Sequence, residues 1–138
     1  MKTHVLDANA LFRFLVNGPG AERVEALFKA AREERSAILM SVVNWGEVYY
    51  SLARRIGIAK TDATLEAVAL LPLSVVTVGM EQARAASILK SSFGLPYADC
   101  FAASLAGRSG VVVTSDAKDF ARVPWLSTMA LPSHKPKL

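Results

Sequence analysis

The sequence predicts an α/β fold with a mostly parallel central sheet of four to five strands flanked by helices. Three observations carry that expectation. Short apolar runs of strand character alternate with helical patterns along the chain, as successive βα units require. The run Val111-Val112-Val113 is apolar at every residue, which suits a strand covered on both faces. The length, 138 residues, fits one domain, and a chain of that size buries roughly 68–70% of its unfolded surface without needing staples.

Each element has its own local reason. Residues 4–6 form a short β run ending at Asp7. Residues 21–35 read as a helix, because Val24, Leu27, Phe28 and Ala31 recur at i, i+3, i+4 and i+7. Residues 37–40 are a wholly apolar second strand, and 41–55 a long helix closed by Gly57. Thr61 or Asp62 can cap a helix that runs to about Leu71 and stops at Pro72. Residues 74–78 are a third strand and 80–92 a helix ending before Gly94. Pro96 suits the first position of a helix running to Ala106, with Gly107 behind it. Residues 111–114 are a fourth strand, 116–120 a short helical turn and 127–131 a last strand. One domain over 1–131 with a flexible Pro- and Lys-rich tail over 132–138 is the expected organisation.

Composition narrows the function classes. The chain is 52% hydrophobic and 20% charged, too apolar for disorder. The longest uncharged stretch, 67–80, is broken by Pro72 and too short to span a bilayer. A single cysteine, Cys100, permits no intrachain disulfide, and no signal peptide is evident, so a cytoplasmic location is expected. Lys and Arg number 16 and Asp and Glu 12. If a metal site neutralises four acids, 16 cations face only 8 others, a surface suited to a polyanion. An ordinary basic protein has the same balance. GxGxxG, GxxxxGK[ST], GxSxG, HExxH and CxxC are all missing, and the two histidines, His4 and His134, stand at opposite ends. His4 lies in the first strand and reads as a packed core or edge residue.

Four acids stand out. Asp7 and Asp116 follow the first and fourth strands, so in a parallel sheet both sit on one rim, where ligands of such folds bind. Asp99 lies in the first turn of the Pro96 helix. Glu47 interrupts an apolar helical stretch, where an unpaired carboxylate is costly. Each has a plainer explanation. Asp7 and Asp116 suit helix N-caps, Asp99 suits the helix dipole, and Glu47 could pair with Arg54 or Lys90. Brought together, four carboxylates repel and need a cation. An all-oxygen ligand set points to Mg²⁺ or Mn²⁺, with too few Cys and His for zinc.

Those residues stand in segments with a known likeness: 5–11 (VLDANAL), 41–48 (SVVNWGEV), 95–103 (LPYADCFAA) and 113–120 (VTSDAKDF). In order and spacing the chain resembles a PIN-domain ribonuclease, and within that superfamily a VapC-type toxin of a toxin–antitoxin pair. The resemblance implies a PIN-like three-layer fold and divalent metal held by Asp7, Glu47, Asp99 and Asp116. Asp7 and Asp99 would be the firmest ligands. Asp116 would complete the site, if need be through water, and Glu47 would ligate or orient the attacking water. Asn9, where the family often has Ser or Thr, and Thr114 are candidates to support the ligands. Asp119 is either an outer partner of the site or a cap of the turn before Phe120, and capping is the favoured reading.

The resemblance further implies hydrolysis of an RNA substrate, leaving 5′-phosphate and 3′-hydroxyl ends, and inhibition by a cognate antitoxin. A homodimer is expected from a mean hydropathy of +0.30 and the segment Trp45, Tyr49, Tyr50, read as interface packing rather than base stacking. Arg13, Arg54, Arg55, Lys90 and Lys118 are candidate phosphate contacts or simply solvated charges. A haloacid-type phosphatase would need a second acid where Asn9 stands, and a receiver module an Asp after the third strand. The alternatives that remain are a housekeeping RNA-processing or DNA-acting nuclease and a catalytically inactive PIN-like binding module.

Overall fold

The computed structural model describes residues 1–132. Along the chain lie β1 (Lys2–Leu6), α1 (Ala8–Leu15), α2 (Ala21–Arg32), β2 (Ser36–Ser41), α3 (Val42–Ile56) and α4 (Ile58–Val68). After them come β3 (Ser74–Val76), α5 (Met80–Phe93), α6 (Tyr97–Ala106), β4 (Val111–Thr114), α7 (Ala117–Phe120) and β5 (Ser127–Ala130). The five strands form one sheet in the order β3-β2-β1-β4-β5, and every neighbouring pair is parallel.

Strand alternation divides the core in two. Leu6 and Val113 turn to one face, against Leu11 of α1, Phe28 of α2, Val48 of α3 and Leu65 of α4. Val5 and Val112 turn to the other, against Leu89 of α5, Ala102 of α6 and Phe120 of α7. A strand with helices on both sides has no polar face, which is why 111–113 reads as an unbroken apolar run. The result is the three-layer arrangement expected.

The strand order positions the site. The chain builds outward from β1 through β2 to β3, then returns to the far side of β1 for β4 and β5. The order reverses between β1 and β4, so the segments leaving their carboxyl ends diverge and open a crevice. Asp7 directly follows β1, and Asp116 is two residues beyond β4.

Several boundaries differ from the sequence expectation, each for a local reason. Helix α1 is an additional element over Ala8–Leu15, with Asp7 as its N-cap. Helix α2 stops at Arg32, and Glu34 then turns with φ of 59°. Helix α4 begins at Ile58, before Thr61 or Asp62. Gly57, at φ 84°, closes α3 and opens α4 at once, and Thr61 lies inside with its hydroxyl donating to the Gly57 carbonyl at 2.8 Å. Pro96 is the N-cap residue of α6, in extended conformation, rather than its first helical position. The carbonyl of Pro132, the first residue of the expected tail, accepts from the Arg13 guanidinium. The rest of the expected tail, 133–138, lies outside the described residues.

Candidate metal centre

Asp7 is the most deeply placed of the acids, with only 4% of its surface exposed. Its backbone N–H donates to the Val113 carbonyl at 3.2 Å, which ties the end of β1 to β4. Its Oδ1 accepts the Ala10 N–H at 2.9 Å and so caps α1. Burial pushes its carboxyl up to about 6, against the pull of hydrogen bonds from Thr114 and Ala10. The carboxylates of Glu47 and Asp116 add to the rise. Asp7 is therefore both a helix cap and a member of an acidic cluster.

Thr114 ends β4, fully buried. Its Oγ1 accepts the Asp116 N–H at 2.8 Å, and its hydroxyl lies near enough to the Asp7 carboxyl to pull that group's pKa down. One β-branched side chain thus holds the two rim acids in register. Asp116 stands at the N-cap position of α7 without making the capping bond, so the plainer explanation of this residue is set aside. Its exposed carboxyl is nonetheless raised, first by desolvation and then by the neighbouring Asp119 carboxyl.

Asp99 lies in the first turn of α6, where the helix dipole favours the charged form. Burial outweighs that and pushes its carboxyl up to about 7, helped by the charges of Asp7, Glu47, Asp116 and Asp119. Five carboxylates therefore act on one another. One oxygen each from Asp99, Asp116 and Asp119 lie within 4.8 Å of one another, tight enough for a single cation. Asp7 and Glu47 stand outside that triad. Asp119 is a correction: it lies within α7 rather than capping it, on the same side as Asp116 one turn earlier. The Asp116-x-x-Asp119 spacing is the signal that could have placed it there.

Glu47, half-buried in α3, has neither of its expected cationic partners. Lys90 donates to the Leu95 carbonyl at 2.9 Å, and Arg54 lies over the Tyr50 ring at 5.1 Å. Glu47 Oε1 instead accepts from Asn44 Nδ2 at 3.0 Å. Asn44 is the residue the sequence reading missed. Its signal is a lone amide in an apolar stretch, one turn before Glu47. The only described cation in ion-pair distance of any of the five acids is Arg122, 3.8 Å from Asp119. Asn9 is exposed on the first turn of α1, with no hydrogen-bond partner among the described residues.

The remaining candidates sort by what they touch. Arg13 donates to the carbonyls of Pro19 and Pro132, which commits it to the backbone. Arg55 lies over Phe12 at 4.7 Å. Lys118 is exposed between Asp116 and Asp119 in sequence. Trp45 and Tyr49 pack together, ring centroids 5.6 Å apart, against the core, and the Tyr49 hydroxyl donates to Asp62 at 2.7 Å. Tyr50 is 48% exposed. His4 is buried in the middle of β1, its Nδ1 2.7 Å from the Ser36 hydroxyl.

A parallel sheet with carboxylates gathered at its point of strand reversal has them where open α/β folds bind their ligands. The sequence profile of the PIN domain family matches residues 4–126, and the chain belongs to that family. Among solved structures, VapBC from Salmonella typhimurium bound to DNA superposes with a TM-score of 0.75 at 21% identity, covering 94% of this chain and 98% of that one. VapBC2 from Rickettsia felis, bound to a DNA fragment from its promoter, gives 0.73 at 17% identity, with 93% and 98% covered. A toxin–antitoxin complex from Klebsiella pneumoniae gives 0.65 at 21% identity, with 91% and 96% covered. At these identities the likeness is one of fold. None of the curated protein sequences matches the chain.

Proposed function

We propose that this protein is a Mg²⁺- or Mn²⁺-dependent endoribonuclease and the toxin of a type II toxin–antitoxin pair. One observation carries the enzymatic reading: carboxylates gather beyond the ends of β1 and β4, where burial and neighbouring charge raise Asp7, Asp99 and Asp116, and Arg122 is the one described cation within ion-pair distance. A site so arranged is electrostatically costly on its own and fits a hard divalent cation, since every available donor is oxygen. Asp7, Glu47, Asp99 and Asp116 would hold the metal, and Asp119 joins them through the triad with Asp99 and Asp116. Bound there, the ion supplies Lewis-acid activation of water and neutralises charge on the phosphoryl oxygens.

The chain's own residues do the rest. Thr114 holds Asp7 and the backbone of Asp116, so the rim acids are oriented before substrate arrives. Lys118, exposed and between Asp116 and Asp119 in sequence, and Arg54 on α3 would meet phosphates of a polyanion. The toxin role and a cognate antitoxin partner draw support from the solved structures, which are VapBC and toxin–antitoxin complexes. A homodimer fits the mean hydropathy of +0.30. A single domain over 1–131 fits the family match and the one continuous sheet. No helix among the described residues is long and apolar enough to cross a membrane, and a buried free Cys100 suits a reducing cytoplasm.

Product end-group analysis tests the chemistry. RNA incubated with the protein and Mg²⁺ or Mn²⁺ should yield 5′-phosphate and 3′-hydroxyl ends, and EDTA should abolish cleavage. A cyclic phosphate product, or full activity in EDTA, would overturn the reading. Growth arrest on expression, relieved by co-expressing the neighbouring reading frame, tests the toxin role. Activity without arrest favours a housekeeping nuclease, and metal and RNA binding without cleavage favours an inactive binding module.

A further inference from the structure

We propose that Asn44 is a positioning residue for the acidic site, its buried amide fixing the Glu47 carboxylate of α3 against the first turn of α6, the turn that carries Asp99. The proposal rests on reading the acids as a divalent-cation site. Asn44 is fully buried. Its Nδ2 donates twice, to Glu47 Oε1 at 3.0 Å and to the Ala98 carbonyl at 3.1 Å. Both partners are pure acceptors, so the amide orientation follows from chemistry: turned over, its oxygen would face two other oxygens. Ala98 immediately precedes Asp99, so one side chain joins the two helices from which Glu47 and Asp99 project.

The fold alone gives no reason for an amide here. Asparagine is a weak helix former, and the neighbouring Val48 and Leu52 of the same helix are core residues. Asn44 Oδ1 is buried with no hydrogen-bond partner among the described residues, a penalty that an apolar residue of similar size would avoid. The return on that penalty is at Glu47. A glutamate has three rotatable bonds, and nothing else among the described residues bonds to its carboxylate. With Asn44 the carboxylate is oriented in advance, which is what a ligand of a small, geometrically demanding cation requires.

The test uses Mn²⁺ itself, followed by electron paramagnetic resonance of the free ion and by titration calorimetry, together with thermal melts in EDTA. Wild type and five variants are compared: Asn44→Leu, Asn44→Ala, Glu47→Ala, the Asn44→Leu/Glu47→Ala pair, and Asp99→Asn. Asn44→Leu should melt at or above the wild-type temperature in EDTA yet bind Mn²⁺ about ten- to a hundredfold more weakly. In the Glu47→Ala background the same change should alter affinity by no more than about twofold, because Asn44 acts through Glu47. Should Asn44→Leu fail to fold, Asn44→Ala carries the comparison. Unchanged Mn²⁺ affinity in a folded Asn44 variant overturns the proposal, as does a loss that persists in full without Glu47. A lower melting temperature with unchanged affinity marks a merely structural clamp and also overturns it. Failure of the underlying reading looks different: wild type itself would not bind Mn²⁺, or Asp99→Asn would bind it as wild type does.

Discussion

Asp7 shows how one side chain serves fold and site together. Its Oδ1 caps α1 while its charge, almost wholly buried, is opposed by Glu47 and Asp116. Asp7→Asn keeps an acceptor for the Ala10 N–H and removes the charge. Asp7→Ala removes both, and should be less stable than Asp7→Asn by about 1 kcal/mol, the worth of an N-cap. Denaturant unfolding in EDTA measures the gap, and equal stabilities would mean the cap contributes nothing. Asp99→Asn should stabilise the metal-free protein by about 1 kcal/mol, kept small because solvent reaches the group. The same variant should lose cleavage and the metal-induced rise in melting temperature. A helix-dipole role would predict the opposite sign, a loss of about 0.3–1 kcal/mol with metal response intact. The four acids were readable from sequence because a charge stands out at a strand end or within an apolar helix. Asp119 was readable only as the less favoured alternative to a cap, and Asn44 was not readable. Asp119 sits where a cap is the more ordinary reading, and the pairing of Asn44 with a carbonyl 54 residues away depends on how α3 packs on α6.

Helices and strands were readable where pattern and punctuation agree. Helix α3 has both, with the Ser41 hydroxyl accepting the Val43 N–H at its start and Gly57 at its end, and its bounds fall within a residue of expectation. Helix α4 misled because Thr61 and Asp62 resemble a start signal, whereas the real start depends on the positive φ that only the preceding glycine makes cheap. Helix α1 hides behind Asp7, whose role as a strand terminus draws attention from the apolar turn that follows. The glycines within these elements give a pair of opposite predictions. A Cβ on Gly46, in the middle of α3, meets nothing within 4 Å, so Gly46→Ala should stabilise by about 0.5–1 kcal/mol. A Cβ on Gly110, ahead of β4, would stand 2.6 Å from the Ala106 carbonyl oxygen, so Gly110→Ala should destabilise by about 1–3 kcal/mol. Urea midpoints with unchanged slope check both, and a stable Gly110→Ala would mean the turn after α6 yields easily.

The molecule as a whole carries 16 cationic residues and a cluster of carboxylates, and its stability should follow the state of that cluster. Burial and mutual repulsion raise Asp7 to about 6 and Asp99 to about 7 in the folded protein, from an ordinary carboxyl value of 3.8. Below the ordinary value both states hold these protons and nothing is lost. Between about 4 and 7 the unfolded chain has released protons that the folded one still holds. The folded state then binds more protons, so stability falls as pH rises through that window and stays low above it. For Asp7 alone the loss is about 3 kcal/mol at most. His4, whose pKa burial lowers, opposes this trend in its own range, because the unfolded chain binds that proton more readily. The readout is therefore the difference between wild type and Asp7→Asn/Asp99→Asn, which share His4, in thermal melts at pH 5, 6, 7 and 8. In EDTA wild type should lose ground to the variant from pH 5 to 7 and little more by pH 8. With Mn²⁺ most of that deficit should be made up at pH 8, because the ligands are then deprotonated, and a hundredfold excess over Kd supplies about 2.7 kcal/mol. At pH 5 protons compete for the same oxygens and the Mn²⁺ effect should nearly vanish. A wild type that gains on the variant with rising pH in EDTA, or a Mn²⁺ effect equal at pH 5 and 8, would show that these carboxylates neither repel in the apo-protein nor hold the metal.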